Sequence, residues 1–231
     1  MSVRLAALVT AAGSSQRFNV NNSSNVKKEF VNLDGHSVLY HACLPFTQRE
    51  DIVALFVTYR AGAKDETRAA LEDLLEQKKI PIFLVEGGDT RQSSVFNALK
   101  ELYRINDQLK VNCVCIHDGA RPFVTEKIIS DTVSAAMEVG GAVPVVRVTD
   151  TLIQTDKNGY MQKIVDREGV CRVQTPQTFV FPDIFNAHEL AQGRPNIKYT
   201  DDTHIFIDFG KQVVAVEGSE SNIKITFAKD I

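Results

Sequence analysis

The chain has 231 residues, 44% of them hydrophobic and 24% charged, a balance ordinary for a soluble globular protein and long enough to bury a full core. A net charge of -3 at pH 7 argues against general nucleic-acid binding, so any anion site has to be a local cluster of cations. Met1-Ser2-Val3-Arg4 leads straight into a strand-length apolar run rather than a signal peptide, and no apolar segment approaches the roughly 20 residues of a membrane span, which together point to a cytoplasmic protein.

Leu5 to Val9 is an apolar run of the kind that forms a buried strand in a parallel sheet. It enters Ala11-Ala12-Gly13-Ser14-Ser15, a loop with almost no side-chain bulk, whose backbone amides can approach an anion closely. Arg17 adds a planar, permanently charged fork and Lys28 a compact point charge, so that the stretch suggests a cradle for a triphosphate. An ordinary strand-to-loop turn with two surface cations is the plainer alternative. The Walker pattern fails because Gly13 is followed by Ser14-Ser15-Gln16-Arg17, and the dinucleotide pattern fails because the loop has a single glycine. Asn19 to Asn25 is polar and is expected to be mobile until a ligand orders it.

Asp34-Gly35 signals a turn, followed by a helix from Ser37 that ends near Pro45. Ile52 to Tyr59 reads as the second strand, and Ala63 to Lys79 as a helix with Leu71, Leu74 and Leu75 on its apolar face. Pro81 to Val85 is the third strand, followed by Gly87-Gly88 and a helix from about Thr90 to Tyr103. Val111 to Ile116 is the fourth strand and ends in His117-Asp118; Thr125 caps a helix that stops at Gly140-Gly141, and Ala142 to Val146 is the fifth strand. This alternation predicts a doubly wound α/β fold, a mostly parallel sheet with helices on both faces, in one domain spanning 1–231. Ligands of such sheets sit outside the carboxyl ends of the strands, so the loops 11–17, 87–94 and 117–121 should converge on one site.

After Val148 the pattern changes. Two polar-apolar runs flank Asp156-Lys157-Asn158-Gly159, a hairpin signal, and predict a two-stranded arm over 149–173 that projects from the domain. Such an arm is marginal alone and is expected to pack on the same arm of a second subunit; folding back over its own domain is the alternative. Thr175-Pro176-Gln177 and Phe179 to Phe181 return to the sheet, Pro182 opens a helix, and Thr200-Asp201-Asp202 starts another. Val213 to Val216 and Ile223 to Thr226 finish the fold, with Lys224 on an edge. Of the four cysteines, Cys113 and Cys115 alternate along a strand and read as small buried hydrophobes in a reducing cytosol; no pair of Cys-x-x-Cys motifs supports a structural zinc.

Several of these residues occur together in a known pattern. They are Ala11-Ala12-Gly13 with Arg17 and Lys28, Gly87-Gly88-Asp89 with Arg91 and Ser94, and His117-Asp118-Gly119-Ala120-Arg121-Pro122. Asp150-Thr151, Asp166-Arg167, Thr175-Pro176-Gln177, Thr200-Asp201 and Asn222-Ile223-Lys224 follow in order. The set resembles the 2-C-methyl-D-erythritol 4-phosphate cytidylyltransferases of the non-mevalonate isoprenoid pathway over nearly the whole chain. The resemblance implies a Rossmann-like nucleotidyltransferase that joins CTP and a sugar-alcohol phosphate with release of pyrophosphate, with Mg²⁺ as the divalent cation. The nucleophile of that reaction is a phosphate monoester, largely deprotonated at neutral pH because its second pKa is about 6. No general base is needed, and cations suit the task of holding two polyanions in line.

Carried over by residue, the resemblance implies that Arg17, Lys28 and Lys224 hold the triphosphate and stabilise the transition state. Ala11, Ala12, Gly13, Gly88, Asp89 and Ser94 line the ribose and cytosine pocket. Asp118 contacts the sugar-alcohol phosphate and lies near the metal, with Arg121 and Thr175 beside it. Thr151 and Arg167, on the arm, reach the methylerythritol phosphate bound in the other subunit of a homodimer. Lys27 stands where the family often has proline, which leaves it as a substitute for Lys28; Asp118-Gly119 replaces the commoner Asp-Ala and should loosen the loop slightly. His117, His41 and His204 read as structural. Two rival readings are a ribitol-phosphate cytidylyltransferase, whose first loop usually carries Ala-Gly-Gly, and a non-catalytic nucleotide-binding relative.

Overall fold

The computed structural model describes residues 2–13, 15, 18 and 27–231. The run 19–25 and Arg17 lie outside the described residues, and with them the expectations of a ligand-ordered loop and of an arginine on the triphosphate.

Strand β1 (Leu5–Ala11) precedes a 3₁₀ turn at Lys28–Phe30 and a short ribbon of β2 (Asn32–Leu33) and β3 (His36–Ser37), closed by the expected turn at Asp34-Gly35. The Ser37 hydroxyl caps α1 (Val38–Thr47) by accepting from the Tyr40 amide. This helix does not end at Pro45, as the sequence suggests, but runs on to Thr47. A proline so near the carboxyl end forfeits few backbone bonds, and burial of Phe46 beyond it favours continuation.

After β4 (Ile52–Tyr59) the helix expected over 63–79 is two short ones, α2 (Lys64–Ala69) and α3 (Glu72–Gln77). The helical run breaks at Leu71, which is fully buried in the core and leaves helical geometry (φ -119°, ψ 12°) before the second helix starts. Then come β5 (Ile82–Glu86) and α4 (Arg91–Leu109), which is capped by Thr90 and extends well past Tyr103. Next are β6 (Cys113–Asp118), α5 (Glu126–Val139), capped by Thr125 as expected, and β7 (Gly141–Arg147). A separate ribbon of β8 (Leu152–Thr155) and β9 (Met161–Val165) follows. The chain returns through β10 (Cys171–Val173) and β11 (Gln177–Val180), then α6 (Asp183–Ala191), α7 (Asp202–Asp208) and β12 (Val214–Glu217).

The main sheet has the order β5-β4-β1-β6-β11-β7, with β10 antiparallel to the far end of β7 and β12 parallel to it. β5, β4, β1 and β6 are mutually parallel, and β11 runs antiparallel between β6 and β7. The fold is therefore a mostly parallel α/β sheet with helices on both faces. Ile223–Thr226 makes no ladder; it is an extended segment held by the Ile225 amide donating to the Ala120 carbonyl at 2.8 Å.

Side chains alternate along the buried strands, so each strand feeds two cores. Ala6 and Leu8 of β1, Phe56 of β4 and Ile116 of β6 pack under α4, α6 and α7. Leu5, Ala7, Val9, Val57, Cys113 and Cys115 pack under α1, α3 and α5, which seats both cysteines as buried apolar groups. A third, small cluster joins Phe18, Val38 and Ile225 at the carboxyl edge of the sheet.

The β8–β9 ribbon pairs only with itself among the described residues, and both its faces are open: Ile153 is 50%, Met161 62% and Ile164 67% exposed. Its Asn158-Gly159 turn is braced by the Asp156 carboxylate, which accepts from the amides of Asn158 and Tyr160.

Phe179, at 0% exposure, packs on Phe206 with ring centroids 4.8 Å apart where β11 meets α7. Phe179→Ala should lower the unfolding free energy by about 3–5 kcal/mol, read from the denaturation midpoint at unchanged m-value.

Candidate active site

The connection from β5 to β6 carries the chain across β1 to its other side, so the order of the sheet reverses between β1 and β6. At such a point the loops leave in opposite directions and open a crevice. A cavity of about 560 Å³ lies there, at the carboxyl ends of β1, β4, β5 and β6. The three loops expected to converge all contribute: Ala12 and Gly13 from the first, Gly87 to Arg91 and Ser94 from the second, Asp118 and Ala120 from the third.

One side of the cavity is built by backbone. The Ser94 hydroxyl, 2% exposed, donates to the Thr90 carbonyl at 2.8 Å and accepts from the Gly88 amide at 3.1 Å, which fixes the turn between β5 and α4. A Cβ on Gly87 would stand 2.5 Å from the Ala12 Cβ and 2.7 Å from the Ser94 oxygen, so only glycine lets the two loops touch. Ala11 is 1% exposed and lies behind this wall, its amide donating to Thr58. Gly119 does not loosen its loop. Its amide donates to the Thr10 carbonyl at 2.9 Å, where a methyl group would collide with that oxygen, so the missing side chain permits a close approach.

The other side is cationic. Lys28 Nζ donates to the Ile225 carbonyl at 2.7 Å, and Lys224 Nζ reaches Asp118 Oδ2 at 2.6 Å. Two lysines separated by nearly the whole chain thus line one cavity, because Lys28 bonds to the carbonyl of Ile225, the buried residue that directly follows Lys224. Arg91 Nε lies 3.2 Å from Asp118 Oδ1, and Arg121 Nε 3.9 Å from Oδ2. Burial would raise the Asp118 carboxyl, but Lys224, Arg91 and Arg121 outweigh it and hold the group well below the usual carboxylate range. Arg121 is 9% exposed and donates through Nη1 to the Asn222 carbonyl at 2.6 Å, so it braces the Lys224 segment.

His117 is fully buried, and burial lowers its pKa to about 4. Its Nε2–H donates to the Arg121 carbonyl at 3.0 Å, which leaves Nδ1 to accept from the Thr175 hydroxyl at 2.9 Å. The Thr175 oxygen in turn accepts from the Asp118 amide at 3.1 Å. The neutral ring therefore fixes the loop around Asp118, in line with a structural reading of His117.

Of the residues singled out in the sequence, Ala12, Gly13, Lys28, Gly88, Asp89, Ser94, Asp118 and Lys224 line the cavity. Arg121 and Thr175 stand directly behind it. Thr151 and Arg167 are exposed on or beside the ribbon, Arg167 donating to the Thr149 carbonyl, and neither is among the described residues at the cavity. Lys27 packs its ammonium over the Phe30 ring, 5.6 Å from the centroid. Burial lowers its pKa more than Glu29 restores it.

Sequence reasoning missed Glu29 and gave Arg91 no role. Glu29 is 3% exposed in the cavity wall and accepts from the Ser15 hydroxyl at 3.0 Å; burial raises its pKa against the pull of Lys28. Arg91 had a readable signal. A cation in the first turn of a helix opposes the helix dipole, so it needs carboxylates close by.

The His117 shift has a consequence for stability. A His held neutral when folded and ionisable near 6.5 when unfolded contributes stability that is present above pH 6.5 and lost as pH falls towards 4. Between pH 7 and pH 5 the wild-type chain should lose about 2 kcal/mol that His117→Asn does not lose, measured by denaturation at each pH. Glu29 acts in the opposite sense, its contribution being lost as pH rises through its raised value, so the comparison of the two proteins isolates His117.

The model of the 2-C-methyl-D-erythritol 4-phosphate cytidylyltransferase family matches residues 5–231. The chain is 35% identical over 227 residues to the protein of that name from Clostridium novyi (strain NT), covering 97% of this chain and 92% of the relative. It also resembles a solved 4-diphosphocytidyl-2C-methyl-D-erythritol synthase from Anaerococcus prevotii, at a TM-score of 0.82 and 28% identity over 99% of this chain and 93% of that one. The 2-C-methyl-D-erythritol 4-phosphate cytidylyltransferase structure from Thermus thermophilus gives a TM-score of 0.75 at 30% identity, over 100% and 95% of the two chains. With the family model matched over residues 5–231 and a relative 35% identical over 97% of the chain, the chain belongs to the 2-C-methyl-D-erythritol 4-phosphate cytidylyltransferase family.

Proposed function

We propose that this protein transfers the cytidylyl group of CTP to 2-C-methyl-D-erythritol 4-phosphate, releasing pyrophosphate, in isoprenoid precursor synthesis. The observation that carries the reading is that Lys28, bonded to the Ile225 carbonyl, and Lys224, bonded to Asp118, line one cavity whose other wall is fixed backbone. In the reaction an unprotonated phosphate oxygen of the alcohol phosphate attacks the α-phosphorus of CTP. The bond from that phosphorus to the bridging oxygen breaks, and pyrophosphate leaves with the bonding pair. The attacking oxygen carries no proton to be removed. The protein's work is to align two polyanions and to stabilise charge as it develops.

In this reading Ala12, Gly13, Gly88, Asp89 and Ser94, backed by Ala11, seat the cytosine and ribose on the side built by backbone. Lys28 and Lys224, with Arg17, hold the triphosphate. Asp118 faces the alcohol phosphate, Arg121 and Thr175 keep its loop in place, and the whole chain 1–231 acts as one nucleotidyltransferase domain. Mg²⁺ suits such a site: it favours one or two carboxylates plus substrate phosphates over an all-protein cage, and Asp118 supplies a carboxylate held ionised. When bound, the ion would neutralise phosphate charge. The open apolar side chains Ile153, Met161 and Ile164 support the arm 149–173 as a homodimer contact that carries Thr151 and Arg167 to the neighbouring site. The family match and the curated relatives carry the methylerythritol phosphate name, which disfavours ribitol phosphate as the acceptor.

A pyrophosphate-release assay with CTP and Mg²⁺ across a panel of polyol phosphates tests the reading; a better rate with ribitol phosphate would overturn the acceptor. Lys28→Ala and Lys224→Ala should each lower turnover by about 10²-fold, the scale of losing one transition-state donor. Near-wild-type rates in both would remove their assignment. Mixing Arg167→Ala with Lys28→Ala protein should restore activity through hybrid dimers, and no recovery after verified subunit exchange would count against sites shared between subunits.

A further inference from the structure

We propose that Arg91 and Asp202, braced by His188, form a buried positioning device that sets the orientation of the Asp118 carboxylate. The inference rests on the role given to Asp118 above. The Arg91 guanidinium spans two carboxylates: Nε lies 3.2 Å from Asp118 Oδ1, and Nη1 lies 2.7 Å from Asp202 Oδ2. Arg91 thus hydrogen-bonds one oxygen of Asp118 and is anchored by charge on Asp202, while the other Asp118 oxygen, Oδ2, meets Lys224 and Arg121.

Asp202 belongs to the support rather than to the cavity. It and His188 are both 0% exposed, and His188 Nε2–H donates to Asp202 Oδ1 at 3.1 Å. The Asp202 amide donates to Gln177 Oε1 at 3.0 Å, so the end of α7 is pinned to β11. Burial would raise the Asp202 carboxyl, yet Arg91 and His188 together keep it low and hence ionised. Four elements, α4, β6, α6 and α7, thus supply a continuous line of polar contacts from His188 to Lys224.

Stability gives no reason for such a line. A buried ion pair is often no better than apolar residues of the same volume, because desolvation offsets the attraction. Arg91 also opposes its own helix dipole. What the arrangement does provide is direction. A planar guanidinium anchored at one end by a buried charge carries its Nε–H to Asp118 from a set position, which a flexible lysine cannot do.

The test is a double-mutant cycle in the wild-type full chain, with Asp202→Asn, Asp118→Asn and the double variant. Partners that orient a working carboxylate are typically worth about 10–100-fold, so Asp202→Asn should lower kcat/KM for methylerythritol phosphate on that scale. The KM for CTP should stay near its wild-type value. In the Asp118→Asn background, Asp202→Asn should cost nothing further, because the group through which it acts is already lost. Losses that multiply in the double variant, or an equal rise in both KM values, would overturn the proposal and leave Asp202 a structural residue. His188→Gln carries the same cycle should Asp202→Asn fail to fold. A wild-type enzyme inert towards CTP and methylerythritol phosphate would instead remove the functional reading beneath it.

Discussion

The site depends on a single carboxylate that lets cations crowd together. Lys224, Arg91 and Arg121 all lie within 4 Å of Asp118, at 2.6, 3.2 and 3.9 Å. At an effective dielectric near 20, two like charges 4 Å apart repel by about 4 kcal/mol, so three cations do not assemble unaided. Asp118 supplies the opposing charge and remains ionised because it is surrounded by them. Asp202 does the same for the far end of Arg91. The result is a set of donors whose positions are fixed before any substrate arrives, which is the condition under which electrostatic stabilisation costs no reorganisation.

The fold brings these residues together through apolar contacts that carry no chemistry. Asp118 stands opposite Thr10 across the parallel β1–β6 ladder, at the point where the strand order reverses. Lys28 and Lys224 are held by Ile225, which packs on Val38 and Phe18 and is tied through its amide to Ala120, beside Asp118. A small cluster at the sheet edge thus does for the cationic wall what Gly87, Ala12 and Ser94 do for the neutral one. Both walls are local, yet each joins segments that are far apart in the chain.

This division explains what could be read from the sequence. Strands β1, β4 and β6 are legible because burial on both faces makes them continuous apolar runs, and the cradle loop because small residues after such a run leave the backbone bare. The caps at Thr90 and Thr125 are legible for the same local reason. The break at Leu71 is not, since leucine favours helix and the only mark of the break is its burial in the core. Nor is the loose strand at Ile223–Thr226, which alternates like a strand but binds Ala120 by one amide. Asp202 and His188 are harder still. Each is an ordinary helix-face residue in one dimension, and only packing α6 against α7 turns the pair inward. Arg91, one contact behind Asp118, still shows as a cation at a helix start, whereas Asp202 and His188 behind it carry no such local mark.

The overall charge of the chain sharpens the point about local placement. A net charge of -3 sets a weakly repulsive field for a nucleotide triphosphate at a distance. At physiological ionic strength that field fades within about 8 Å, whereas groups in contact inside a partly closed cavity are screened much less. Under the proposed function, capture would therefore belong to the few cations at the β1–β6 crevice and not to the surface as a whole. In the role proposed for them, the same cations face a reaction in which the attacking group is already an anion, so capture and transition state would ask the same of them: to hold negative charge where two substrates would otherwise push apart. A site of this kind needs direction more than basicity, which is why buried bracing behind Asp118 has more to offer it than another titrating side chain in front.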